Sequence, residues 1–168
     1  MDQHYLDPNG LATSRGNYTE DQYELRLKRK KLEYRPANRF EQRLHWDFLV
    51  GTVKIETKAP KRINRYDDKP RYDLLVLELH GFQPYNTGWL HGYADFIAFQ
   101  QEDGSFIHFK REQLLAWIEE KKLKTDKMEY DHNPVMYQEY HRWNNKLESF
   151  IYVPLADVLQ DLRSITLK

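Results

Sequence analysis

The sequence predicts an α+β domain: a central mixed, mostly antiparallel sheet flanked by helices. Three observations carry that expectation. Residues 45–58, HWDFLVGTVKIETK, alternate polar and apolar on both sides of a Gly51-Thr52 turn, which is the period of paired strands. The apolar runs LLVLEL (74–79) and ADFIAF (94–99) have strand length, and the second is followed by an Asp103-Gly104 turn. Segments near 19–35 and 111–122 space their large apolar residues as helices do.

The elements follow in order. Residues 1–17, with Pro8, Gly10 and Gly16, read as a loose arm, leaving 18–168 as one domain. Thr19 and Gln22 fit a capping box that starts a basic helix, with Tyr23 and Leu27 on one side and Pro36 as its stop. The hairpin comes next, then a polar loop over 59–71. Residues 73–79 predict a strand covered on both faces. Residues 81–88 are loop, and 89–91 a short strand. Strands over 94–101 and 105–109 form a second hairpin. Leu114, Leu115, Trp117 and Ile118 line a helix over 111–122. Residues 123–146 receive no element. A strand over 150–153 leads to Pro154 at the first position of a closing helix with Leu155, Val158, Leu159 and Leu162.

Composition narrows the function classes. Of 168 residues, 40% are hydrophobic, enough for a core and against global disorder. No apolar run could span a bilayer, and MDQHYLDPNG lacks the pattern of a secretory signal. Cysteine is absent, so disulfides and thiolate metal sites are excluded, which suits a cytoplasmic protein. Net charge is zero, so global charge does not point to nucleic acid. Basic residues nevertheless gather in 26–43 and 58–65, where phosphates could be met. Scattered glycines give no phosphate loop, and no serine-nucleophile elbow is present.

The first hairpin carries the sharpest chemistry. A two-residue turn pairs Val50 with Val53, Phe48 with Ile55 and Asp47 with Glu56. One face then holds Trp46, Phe48, Val50, Val53, Ile55 and Thr57. The other holds His45, Asp47, Leu49, Lys54, Glu56 and Lys58. Opposed carboxylates repel, and a divalent cation would remove that penalty. Lys58 projects from the same face and could stabilise charge on a phosphate. The plain alternative is a solvated polar face in a chain that is 31% charged.

Asp47, eight intervening residues, then Glu56-Thr57-Lys58 resembles the motif of the PD-(D/E)XK nuclease superfamily, here a small, phage-type member. The resemblance implies a restriction-endonuclease-like fold and Mg²⁺-dependent hydrolysis of phosphodiester bonds, with Mn²⁺ able to substitute. It implies that Asp47, Glu56 and the Thr57 carbonyl ligate the metal and that Lys58 assists catalysis. Many members add a carboxylate from the preceding helical region; Glu41 is the candidate, with Glu24 and Glu33 behind it. Trp46 stands where the family usually has proline. The strand that usually precedes the Asp-bearing strand is not evident, and a polar loop replaces the usual helical crossover.

Lys61, Arg62 and Arg65, with Arg39 and Arg43, are the expected contacts to the nucleic-acid backbone. The implied partner is double-stranded or branched DNA, cut by a homodimer in the (host) cytoplasm. A non-catalytic nucleic-acid- or protein-binding module of the same fold, such as a phage accessory or anti-defence factor, is the alternative; an acidic-hairpin structural protein is the third reading. Two other groups are weaker. Asp131, His132, His141 and Asn144 lack the final histidine of an HNH site. His91, Tyr93 and Asp95 alternate on an expected strand, where a turn interaction is favoured over a site carboxylate.

Overall fold

The computed structural model describes residues 11–63, 67–81, 87–123, 128–129, 134–142 and 145–168. The fold is α+β, with two sheets and four helices among the described residues. The first sheet has the order β1 (Tyr34–Pro36), β2 (Phe48–Val50), β3 (Val53–Lys58), β5 (Phe96–Gln100), β6 (Phe106–Lys110) and β10 (Ser164–Leu167). Its pairings are antiparallel except β3 with β5. The second sheet has the order β4 (Leu74–His80), β9 (Asn145–Pro154), β8 (Glu139–Arg142) and β7 (Met128–Glu129), with β7 and β8 parallel.

Both faces of the first sheet are covered. Helix α1 (Leu11–Arg29) lies on one, where Tyr23 and Leu27 meet Phe48, Ile55, Ala98 and Phe106. On the other face Ile97, Phe99 and Phe109 pack with Leu75, Leu77 and Leu79 of β4 and Ile151 and Val153 of β9. Leu114, Trp117 and Ile118 of α3 (Arg111–Lys121) and Leu155 and Val158 of α4 (Leu155–Asp161) close this core. Each such side chain contributes about 1.5–3 kcal/mol on burial.

The hairpin register is the expected one: Val50 with Val53, Leu49 with Lys54, Phe48 with Ile55. Gly51 takes φ +59°, a value glycine adopts without strain. The second hairpin also forms as expected, Gly104 at φ +75° and Asp103 Oδ1 accepting from Ser105 N and Oγ.

Several expectations fail for physical reasons. Residues 11–17 belong to α1, and 1–10 lie outside the described residues. Thr19 is no cap: it sits inside α1, 2% exposed, and its hydroxyl donates to Gln100 Oε1 at 2.9 Å. Pro36 does not stop a helix; α1 ends at Arg29, and Pro36 lies in the edge strand β1, where a missing N–H is tolerated. That strand pairs antiparallel with β2. Trp89–His91 is a 3₁₀ turn, not a strand. In β4 only Leu75, Leu77 and Leu79 are fully buried; Leu74, Val76 and Glu78 are half-buried. Pro154 is the N-cap of α4, one residue earlier than expected. Strand β10, paired with β6, carried no sequence signal of its own.

Candidate functional site

The site forms where β2 ends early beside β3. Asp47 lies just before β2, its N–H donating to Ile55 O at 2.7 Å. Its Oδ2 accepts from Thr57 N at 2.7 Å and from Thr57 Oγ1 at 2.8 Å. A side chain therefore replaces the partner strand at this position. Backbone groups along a strand alternate between its two edges. Ile55 O points to β2, whereas Lys54 O accepts from Asp95 N on the β5 side. Thr57 C=O consequently points toward the Asp47 edge.

Glu56 does not face water, and Lys58 is only partly exposed. In register, Glu56 neighbours Ile97 and Lys58 neighbours Phe99, both in the core between the sheets. Glu56 is 6% exposed, and Lys58 Nζ donates to Glu56 Oε1. The same ammonium lies 5.2 Å from the centre of the buried Trp89 ring, a cation–π contact. The solvated-face reading therefore fails at Glu56, which the second sheet covers, while Lys54 and Lys58 remain partly exposed. A narrow cleft of about 20 Å³ borders Lys58 and is lined also by Lys61, Arg71, Tyr72 and Gln100.

A third carboxylate enters from α1. Glu20 lies three and seven residues before Tyr23 and Leu27, on the same inward stripe. Burial, then the charge of Asp47, raises its carboxyl to about 7, with Lys58 opposing. Burial raises Glu56 to about 8; Lys58 opposes the shift while Asp47 and Glu20 add to it. Burial alone would lower Lys58, but Glu56, Asp47 and Glu78 outweigh it and hold the ammonium above its ordinary value. At neutral pH the site is thus a half-buried cation beside Glu20 and Glu56, whose carboxyls burial and mutual repulsion keep short of full ionisation.

This donor set suits a hard cation. Asp47 Oδ1 and Glu56 Oε2 are the carboxylate oxygens not committed to the bonds above, and Thr57 C=O lies on the same edge. Two carboxylates plus waters are a typical Mg²⁺ set. Among the described residues no three His, Asp or Glu side chains form a ready-made metal cluster, so the backbone carbonyl and water must complete any coordination.

Glu41 does not join the site. It belongs to α2 (Arg39–Arg43), where it accepts both guanidinium hydrogen bonds of Arg35, at 2.7 and 2.8 Å. Those bonds and the Asn38 N–H hold its carboxyl down at about 2. Glu24 pairs with Tyr34 Oη and Lys28, and Glu33 is exposed. The basic candidates separate. Arg39 and Arg43 are exposed on α2, while Lys61 and Arg62 lie on the loop after β3, Arg62 donating to Asp68 O at 3.2 Å. Arg65 lies outside the described residues, as do Asp131, His132 and Asn144, and His141 is on strand β8. Asp95 is structural: its Oδ2 accepts from Lys54 N at 2.8 Å. His45 sits before β2 at φ +59° against Gly92.

No protein-family model, curated protein or solved structure matches the chain.

Proposed function

We propose that the protein is a metal-dependent nuclease that hydrolyses phosphodiester bonds, with a restriction-endonuclease-like core. One observation carries this reading. Asp47, Glu56 and Lys58, the residues of the resembled motif, gather at one end of β3, where Glu20 feels the charges of Asp47 and Lys58; Glu56 is buried and Lys58 is half-buried. An isolated buried ion pair is poor value for stability, since hydrophobic residues of equal volume often do as well or better. Chemistry accounts better for it.

The supporting architecture extends beyond the motif. Helix α1, edge strand β1, the β2–β3 hairpin and a parallel β5 beside β3 follow one another, with β4 and the 3₁₀ turn where the resemblance implies a helical crossover. Glu20 takes the helical carboxylate role assigned to Glu41 from the sequence. Mg²⁺, when bound, would supply Lewis acidity toward water and the scissile phosphate. Asp47 and Glu56 would hold it with Thr57 C=O. Lys58, kept cationic by its neighbours, stabilises negative charge developing on the phosphate. DNA, a homodimeric state and a cytoplasmic setting belong to this proposal through the resemblance alone. Among the described residues no helix is long and apolar enough to cross a membrane.

The test is Mg²⁺-dependent cleavage of supercoiled and branched DNA by wild type, Asp47→Ala and Lys58→Ala. Wild type should cut and both variants should lose at least about 100-fold, the scale of removing one transition-state donor. The zero net charge favours, as a second reading, a module that binds without cutting. Metal-dependent binding with no cleavage would select it.

A further inference from the structure

Helix α2 is five residues long, too short to be stable alone. It is braced heavily all the same. Asn38 Oδ1 accepts from Phe40 N and Glu41 N, Glu41 Oε2 accepts from Asn38 N, and Arg35 clamps Glu41 with two bonds. Yet none of its residues is buried. Such bracing is explained by what the helix displays: Arg39, Phe40 and Arg43. Phe40 is 69% exposed, and the two arginines make no ion pair among the described residues.

A second braced element adjoins it. Tyr93 N donates to Leu44 O, the C-cap of α2, at 2.9 Å. The loop around Tyr93 is pinned by Arg111, which donates to Leu90 O and Ala94 O, and by Asp95 bonded to Lys54. On this rigid frame Tyr93 is 65% exposed. Phe40 and Tyr93 are the two most exposed aromatic residues described. One helical turn, about 5–6 Å, separates Phe40 from the residue that Tyr93 bonds. Just upstream of α2, Ala37 N donates to Asp47 O at 2.7 Å, so the patch is joined to the site.

We propose that Phe40 and Tyr93, flanked by Arg39 and Arg43, form a stacking platform for unpaired bases of the nucleic acid, so that the preferred substrate carries a single-stranded tail or branch beside the cleaved bond. This rests on the nuclease reading and narrows its substrate class. Aromatic faces accept any base, and guanidinium groups meet the flanking phosphates, which is how sequence-tolerant single-strand binding is built. A fully paired duplex offers no exposed base face except at its ends.

The test compares affinity for a duplex with a single-stranded tail against a blunt duplex of equal length, both fluorescently labelled, with EDTA present to prevent cleavage. Wild type should prefer the tailed duplex at least tenfold. Phe40→Ala and Tyr93→Ala should each erode that ratio by roughly 5- to 150-fold or down to unity, the range for losing one stacked base. Phe40→Tyr should retain it, and circular dichroism should show all variants folded. A wild-type ratio near unity, or a ratio unchanged in the double alanine variant, overturns the inference. If wild type then still cleaves duplex DNA with Mg²⁺, the nuclease reading survives; if it neither binds nor cuts, both fall.

Discussion

The raised carboxyls make metal binding a steep function of pH. A cation that uses Glu56 or lowers the potential around Glu20 must displace their protons, held up to about 8 and about 7. Below its pKa each coupled proton weakens apparent affinity about tenfold per pH unit. Between about pH 8.5 and about pH 6, Glu56 therefore contributes about two decades and Glu20 about one, roughly 1,000-fold in all, or about 4 kcal/mol. Removing the Glu20 proton from the balance with Glu20→Gln should cut the span to about 100-fold. Asp47→Asn should abolish binding, because Asp47 supplies one of the two motif carboxylates. Calorimetric titration of Mn²⁺ across this range, in wild type and both variants, measures all three. A pH-independent Kd, a Glu20→Gln span as wide as wild type, or normal binding by Asp47→Asn would refute the reasoning.

Other outcomes follow from neighbouring features. Glu41→Ala should lower the melting temperature through loss of the Arg35 clamp and the capping box, while Mn²⁺ affinity stays at the wild-type value. Tyr23→Phe removes the buried hydrogen bond to His108 Nε2, 2.8 Å long, and should cost about 1–2 kcal/mol in urea unfolding. Burial holds His108 below its ordinary value of 6.5, so the unfolded chain binds the proton more readily. Its stabilising share is present above about pH 6.5 and lost as pH falls, by up to about 1.4 kcal/mol per unit; His108→Gln should flatten the thermal-melt profile over that acidic range. A Cβ on Gly88 would lie 2.4 Å from Glu78 O, so Gly88→Ala should destabilise by at least about 2 kcal/mol and lower the melting temperature by roughly 4–8 °C.

The hairpin was legible because its signal is local: a period of two and a glycine-bearing turn fix which residues oppose each other, and β2–β3 keeps that register. The fate of its polar face was not legible. Whether Glu56 and Lys58 meet water depends on β4 and β9, whose paired residues lie 69 to 80 apart in the chain. No periodicity within 45–58 contains that information. Glu20, the helical carboxylate of the proposal, was missed for a related reason. A helix start placed at Thr19 puts Glu20 in a fraying first turn, whereas α1 starting at Leu11 puts it two turns inside, on the stripe of Tyr23 and Leu27. A carboxylate on an apolar stripe was the available signal. Glu41 drew attention by sequence proximity to Asp47, but Asn38 three residues earlier is a capping box partner, and that local use wins.

The placement of the site also explains why a polar cluster is tolerable here. β2 is only three residues long, so β3 runs past its partner and exposes one edge at Thr57. An unpaired buried N–H there would be unfavourable, and Asp47 Oδ2 satisfies it. The same short strand leaves Thr57 C=O on the open edge beside the remaining Asp47 oxygen. A longer β2 would pair both groups, stabilise the sheet and close off the donors. The shortened strand therefore trades backbone pairing for a carbonyl and a carboxylate held in fixed relation, while on the adjoining face Glu56 is buried under the second sheet and Lys58, beside Trp89, stays partly exposed at the cleft. Low local dielectric strengthens every charge interaction at this end of β3, including attraction for a divalent ion. An open edge on one side and a half-buried ion pair on the other is an arrangement that binding a cation and a phosphate would use, and that stability alone would not select.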